Sequence, residues 1–328
     1  MRRLAAALLI VPALLLTSCS SGSKAKSADA ATSSPSASAA ATAVPKSVDS
    51  AANMPVVGGT FAKSATLTVK GKPGSEFVVH TVTEGTGATV GADDYAVADV
   101  LVKDWTSGKT VSDSYANKSP LVSKPSTMIA SLKEALQGHK VGSRVVVIAP
   151  PATAAAQLSS GSTLGIKATD TLAMVVDITA TVPSDGQVTG AQAAVPAGLP
   201  AVESPAKQPA KITIPKGAKA PTDLKTVVLV KGNGPKVEAG QTIVAQYTGV
   251  TWADGKTFDS SWKHSGAFST PIGTGQVISG WDKGLVGQTV GSRVELVIPP
   301  SLGYKDQAQQ GIPANSTLVF VIDILAAA

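Results

Sequence analysis

Tyr247-Thr248-Gly249, Asp254-Gly255-Lys256, Phe258-Asp259-Ser260-Ser261, Phe268, Val277-Ile278-Ser279-Gly280-Trp281, Pro299-Pro300-Ser301-Leu302-Gly303-Tyr304 and Leu318-Val319-Phe320 mark the stretch on which the fold is decided. Thr242–Thr251 alternates, with Ile243, Ala245 and Tyr247 on one face, and so reads as a half-buried strand. Trp252-Ala253-Asp254-Gly255 is a turn signal, after which Lys256–Asp259 resumes extended chain. Ser292–Ile298 is rich in β-branched residues and is stopped by Pro299-Pro300. Thr317–Leu325 puts Leu318, Phe320, Ile322 and Ile324 on one face of a further strand. Gly280–Val286 reads as a helix of one or two turns ending near Gly287, with Trp281 and Leu285 four apart on its inner face. The pattern predicts an α+β architecture, an antiparallel sheet curled around one short helix.

Working outward, the same landmarks recur upstream. Gly142-Ser143-Arg144-Val145-Val146-Val147-Ile148-Ala149-Pro150-Pro151 parallels Gly291–Pro300 at an offset of 149. Gly108-Lys109-Thr110 parallels Gly255-Lys256-Thr257 at 147, and Thr171–Ile178 parallels Thr317–Ile324 at 146. Similar offsets in three separate motifs indicate duplication. The expected division is a targeting segment at 1–19, a disordered tether at 20–60, a diverged first domain at 61–182, a Pro/Ala-rich linker at 183–222 and a second domain at 223–328. The tether is rich in Ala, Ser and Thr and lacks periodicity, and the linker carries seven prolines, so both are expected to act as spacers.

The formal charge of +6 does not mark a nucleic-acid binder, because it is dispersed. Arg2 and Arg3 give +2, residues 20–60 and 61–182 give +1 each, 183–222 gives +2 and 223–328 gives 0. His80, His139 and His264 are scattered without a ligand spacing, so no metal site and no cofactor are expected. At the N-terminus, Arg2-Arg3 precedes an apolar run from Leu4 to Leu16, too short for a comfortable span. The run ends in Leu16-Thr17-Ser18-Cys19, which resembles the bacterial lipobox. That resemblance implies lipidation at Cys19 and an extracytoplasmic protein anchored on the membrane surface. A plain secretory signal with an incidental cysteine is the alternative. Cys19 is the chain's single cysteine, which excludes an internal disulfide.

Asp223–Ala328 holds eight of the 13 aromatic residues. A small domain can use rings simply to fill its core. Their order and spacing, however, resemble the FKBP-type peptidyl-prolyl cis-trans isomerases over nearly all of that segment. The resemblance implies two FKBP-like domains, each with a five-stranded sheet and a pocket between helix and sheet. It implies an isomerase that assists the folding of exported, proline-containing polypeptides, with FK506-type macrolides as competitors. Residue by residue, Trp281 is similar to the pocket floor under a prolyl ring. Tyr247, Phe268, Val277, Ile278 and Phe320 are similar to its walls, with Phe258 beside them. Ile278 also offers a backbone N–H at a helix start. Tyr304 is similar to the hydroxyl donor to a substrate carbonyl, Asp259 to the polar group near the twisting amide, and Ile312 to part of a loop flap over the site.

Where many relatives carry an Asp-Arg pair after the Phe-Asp-Ser-Ser motif, this chain has Lys263-His264. His264, a residue type that titrates near neutrality, either takes over the arginine's orienting role or sits in a solvated loop. Lys305 also replaces the usual glycine after Tyr304. At the offsets above, Tyr247, Phe258, Asp259, Trp281, Tyr304 and Phe320 correspond to Val100, Val111, Ser112, Leu132, Ala155 and Met174. The first copy is therefore expected to keep the fold and lack the activity. The rival to an enzyme is a non-catalytic peptide-binding or chaperone lipoprotein on the same fold.

Overall fold

The computed structural model describes residues 45–151, 153, 166–167 and 169–328. The expected targeting segment with Cys19, the tether up to residue 44, and Ala155 lie outside the described residues.

Two antiparallel sheets form two lobes with one strand order. The N-terminal sheet uses β3 (Val78–Thr83), β4 (Tyr95–Asp104), β5 (Thr110–Asp113), β6 (Leu121–Ser123), β7 (Arg144–Ala149) and β8 (Leu172–Val182). Its order is β3-β7-β8-β4-β5, with β6 also on β4. The C-terminal sheet uses β11 (Lys225–Val230), β12 (Thr242–Thr251), β13 (Thr257–Ser260), β14 (Phe268–Pro271), β15 (Arg293–Ile298) and β16 (Leu318–Ala327). Its order is β11-β15-β16-β12-β13, with β14 also on β12. The path of five strands matches the expectation, and the sixth arises because a ten-residue strand is long enough to pair two short ones in succession. Register agrees as well. Val100 faces Val176 across β4 and β8, and Tyr247 faces Ile322 across β12 and β16.

One short helix lies on the inner face of each sheet, α2 (Ala130–Leu136) and α3 (Ser279–Leu285), while α1 (Ser114–Asn117) is a single turn after β5. The inner C-terminal core joins Trp281 and Leu285 of α3 to Ile243 and Ala245 of β12 and to Leu318, Phe320, Ile322 and Ile324 of β16. Alternation puts these side chains on one side of the sheet. It leaves Val297, Val319 and Val321 on the other.

That outer face is covered, in part by residues of the expected linker. Inside the expected linker, β9 (Ala201–Glu203) pairs with β10 (Lys211–Thr213), and Val202 and Ile212 are buried against Val297, Val319 and Val321. At the end of the expected tether, β1 (Val56–Gly58) pairs with β2 (Thr66–Thr68), which opens the expected first domain. Leu67 of β2 is buried against Val146, Ile148 and Val175 on the outer face of the N-terminal sheet. Each hairpin is thus a strap belonging to its lobe. Burying one such apolar side chain contributes roughly 2 kcal/mol, which is how a proline-rich segment comes to be ordered.

Each lobe also has a buried ion pair, which grips the strap itself in the N-terminal lobe and the chain ahead of the strap in the C-terminal lobe. Arg144 makes two bonds to Asp177, at 2.7 Å each; its Nη1 also donates to the carbonyls of Gly58 and Gly59 and its Nη2 to that of Ser64. Arg293 bonds Asp323 at 2.6 and 2.7 Å and donates to the Val188 carbonyl, while the Val188 N–H donates back to Asp323. A paired, hydrogen-bonded guanidinium is the form in which a charge can be buried.

Candidate functional site

The C-terminal lobe holds a cavity of about 420 Å³ between α3 and the sheet. Its walls come from β12 (Tyr247), β13 (Phe258, Asp259), β14 (Phe268), the 275–278 segment, α3 (Trp281), the loop after β15 (Tyr304) and β16 (Phe320). The rings meet edge to face. Tyr247 and Phe320 each stand 5.4 Å from Trp281, at 81° and 89°. Phe258 stands 5.4 Å from Phe320, and Phe268 stands 5.9 Å from Tyr247. These spacings lie in the favourable range for aromatic pairs. Gly249 makes the crowding possible, since a Cβ there would come within 2.6 Å of Phe258 and 2.7 Å of Phe320. Trp281 is buried and its indole N–H has no partner among the described residues, whereas Phe268 is 40% exposed at the rim.

The polar side of the cavity is organised by Asp259. Its carboxylate accepts from the Tyr247 hydroxyl at 2.5 Å and from the Ser260 N–H at 2.7 Å, and it contacts His264 Nε2 at 2.9 Å. Burial pushes this carboxyl up, but the bonds from Tyr247, His264 and Ser260 outweigh it and leave the group below its ordinary value. Burial, and then the bond to Asp259, push the Tyr247 phenol up. Burial and the charge of Asp259 also raise the Tyr304 phenol. The Tyr304 hydroxyl makes no hydrogen bond to another described residue, so it can donate to a ligand. Among the described residues no group of three or more His, Cys, Asp or Glu is placed to hold a metal ion.

Nine of the ten expected site residues line this one cavity: Tyr247, Phe258, Asp259, Phe268, Val277, Ile278, Trp281, Tyr304 and Phe320. Ile312 does not. It is 5% exposed and packs into the inner core, and its N–H bonds the Gln309 carbonyl. Isoleucine ahead of a proline in a polar loop satisfies the core before it can cover a site. Gly275 and Gln276 line the cavity without having been expected. Asp282, in the first turn of α3, shapes that segment, since its carboxylate accepts from the Gly273 and Gly275 N–H groups.

The site is thus an aromatic cavity between a short helix and a curled antiparallel sheet, with a hydroxyl and a carboxylate at one side. A family profile described as FKBP-type peptidyl-prolyl cis-trans isomerase matches residues 234–325. The FK506-binding protein of Streptomyces anulatus is 43% identical over 112 residues, 34% of this chain and 90% of that protein. FK506-binding protein 2 of Dictyostelium discoideum is 45% identical over 91 residues, 27% of this chain and 68% of that protein. The chain spans only 19% of FK506-binding protein 4 of Aspergillus fumigatus, at 44% identity over 94 residues. The crystal structure of FkpA from Escherichia coli is 38% identical, over 34% of this chain and 52% of that one, with a TM-score of 0.31. The chain belongs to the FKBP-type peptidyl-prolyl cis-trans isomerase family.

Proposed function

We propose that the C-terminal lobe catalyses cis-trans isomerisation of Xaa-Pro bonds in exported polypeptides, and that the protein is held at the outer surface of the cell membrane through a lipidated Cys19. The observation that carries the catalytic reading is the Trp281 ring, met edge-on by Tyr247 and Phe320 under a cavity of about 420 Å³. The anchoring reading rests on Leu16-Thr17-Ser18-Cys19 alone.

Rotation about an Xaa-Pro bond meets a barrier of about 18–20 kcal/mol, set by amide resonance. No covalent bond is broken, so catalysis means binding the twisted amide better than either planar form. The prolyl ring lies on Trp281, walled by Tyr247, Phe268 and Phe320. Tyr304 donates to a carbonyl of the peptide, and Asp259, fixed by Tyr247, sits beside the rotating amide. The apolar walls replace water around that amide with fixed groups. FK506-type macrolides compete for the same rings, as the names of the relatives suggest. The N-terminal lobe is a diverged copy with the same strand order that lacks the rings and carries no isomerase activity.

The test is an isomerase assay on an Xaa-Pro peptide with the full chain and with Trp281→Leu plus Tyr304→Ala. Activity in the parent, loss of it in the double variant and inhibition by FK506 support the proposal. Peptide binding with no rate enhancement would replace it with the chaperone reading. Radiolabelled fatty acid failing to enter the parent protein, or entering Cys19→Ala equally, sinks the anchoring part.

A further inference from the structure

The segment between β13 and β14 connects two walls of the cavity. At one end His264 contacts Asp259, and at the other Phe268 packs on Tyr247. Between them lies Ser265-Gly266-Ala267, with Gly266 at φ +92°. Inside the C-terminal lobe this turn is tied by the His264 N–H to the Ser261 carbonyl. It is also tied from outside that lobe. Ala267 N–H donates to the Ser184 carbonyl at 2.7 Å, where the chain leaves β8, and Gln246 Nε2 donates to the same oxygen at 2.8 Å. A Cβ on Gly266 would stand 2.2 Å from that oxygen, so the turn lies directly against the exit of the other lobe.

Lys124 reaches across from the N-terminal lobe. It follows β6, and its ammonium donates to the Ser265 carbonyl at 2.8 Å while standing 5.0 Å over the Tyr95 ring. It is 8% exposed. A lysine ammonium is normally hydrated, and burying it is costly unless it finds partners. Its partners here are a ring of its own lobe and a carbonyl of the turn. A neighbouring apolar cluster of Val182, Val244 and Ala267, with Tyr95 and Val122 against it, joins the lobes at the same place. Lys124 is therefore satisfied only when the turn is seated, and by reciprocity it stabilises the seated turn.

We propose that Lys124 is a positioning residue for the aromatic cavity: from the lobe without the rings, it holds the 264–267 turn and thereby the Phe268 wall and the His264–Asp259 contact. This rests on the proposed function for its kinetic readout. The lobe that lost the rings is then retained, in this view, as the outer half of the site's frame.

The experiment compares the full chain with Lys124→Met, Lys124→Arg and the control Lys140→Met, whose lysine pairs with Glu84 at the surface. Loss of fold lowers the amount of active protein and so lowers kcat alone, whereas a displaced wall raises KM. Lys124→Met is expected to raise KM for an Xaa-Pro tetrapeptide about fivefold with kcat changed by less than about twofold, the low end of ordinary coupling between sites. Lys124→Arg is expected to restore most of the loss, and Lys140→Met to leave KM unchanged. Amide exchange at Ala267 is expected to accelerate in Lys124→Met while Arg144–Ala149 stays protected. An unchanged KM, or unchanged exchange at Ala267, overturns the proposal. If Lys124→Met does not fold, Lys124→Gln carries the same expectations. If the parent shows no isomerisation, the proposed function fails, and the dissociation constant of the same peptide takes the place of KM in deciding this one.

Discussion

In the C-terminal lobe the cavity beside the helix is lined by Tyr247, Phe258, Trp281 and Phe320. In the N-terminal lobe a cavity of about 390 Å³ occupies the corresponding place, lined by Val100, Val111, Leu132 and Met174 among others. The frames around them agree in detail. A serine after the β13 or β5 strand accepts from the backbone of the long central strand in both, Ser261 from Tyr247 and Ser114 from Val100. A tryptophan just past the far end of that strand donates to a carbonyl a few residues beyond the strap in both, Trp252 to Ala218 and Trp105 to Gly71. Among the described residues, differences fall in the cavity and on the outer face. Gly249, which makes room for two rings, is Val102 in the other lobe, and Asp259 is Ser112. The comparison teaches that strap, latch and sheet specify the fold, and that the rings are an addition the fold does not require.

The latches give the largest expected effect. Removing one partner of a buried ion pair leaves an uncompensated charge and costs about 3–5 kcal/mol. Arg144→Leu strands Asp177 and also releases the carbonyls of Gly58, Gly59 and Ser64, whereas Arg293→Leu releases only that of Val188. Urea unfolding of the full chain should show both variants destabilised, Arg144→Leu more so. Equal losses would show that the strap carbonyls add nothing, and the parallel between the two latches would then reduce to the ion pairs.

Next comes a difference on the outer face. Glu295 faces Val321 across the sheet, as Val146 faces Val175 in the other lobe. Both are fully covered, but both carboxylate oxygens of Glu295 lack a partner among the described residues, and burial raises its carboxyl to about 7. In the unfolded chain that group titrates at its ordinary value, 4.5. Between those two values the unfolded state loses the proton while the folded state keeps it, so stability falls as pH rises from about 4.5 to about 7. Glu295→Gln has no proton to lose. It should be more stable than the parent by about 3 kcal/mol at pH 8 and no more stable at pH 4. A constant difference across that range would mean that Glu295 does not titrate under the strap.

A smaller effect belongs to the cavity. Tyr304 is proposed to give one hydrogen bond to a peptide carbonyl, worth about 1 kcal/mol net, so Tyr304→Phe should lower kcat/KM by roughly five- to tenfold. Unchanged kcat/KM with an unchanged fold would remove the hydroxyl from the mechanism and leave the rings alone to distinguish the lobes.

These differences were unevenly legible in the sequence. Offsets of 146 to 149 exposed the duplicated frame because strand alternation and Gly-Ser-Arg-Val survive divergence. The ring set was legible because aromatics are sparse elsewhere. The straps were not. β1, β2, β9 and β10 have three residues each, and β2, β9 and β10 each bury only their central residue, too short a pattern to outweigh the surrounding Ala, Ser and Pro. The burial of Glu295 was hidden for the same reason, since it follows from the strap and not from its own strand. Gln276 gave no signal because its place in the wall depends on a turn that Asp282 shapes from the next helix.

The smallest effect tests the departure at His264. Its contact with Asp259 is well formed at 2.9 Å, yet the imidazole is 64% exposed, so water competes with it. Exposed pairs of this kind contribute about 0–1 kcal/mol. Asp259 would still hold the Tyr247 hydroxyl and the Ser260 N–H after His264→Ala. Its carboxyl should then rise toward its ordinary 3.8 without reaching it, because His264 is one of several groups holding it down. A depressed carboxyl gives stability above its unfolded value that is lost as pH falls through the folded one. The acid limb of kcat/KM should therefore move to higher pH in His264→Ala, with less than about a twofold change at pH 7. A large loss at pH 7 would instead make His264 the orienting partner that relatives supply with arginine, and would place the decisive contrast between the lobes in the turn that Lys124 holds.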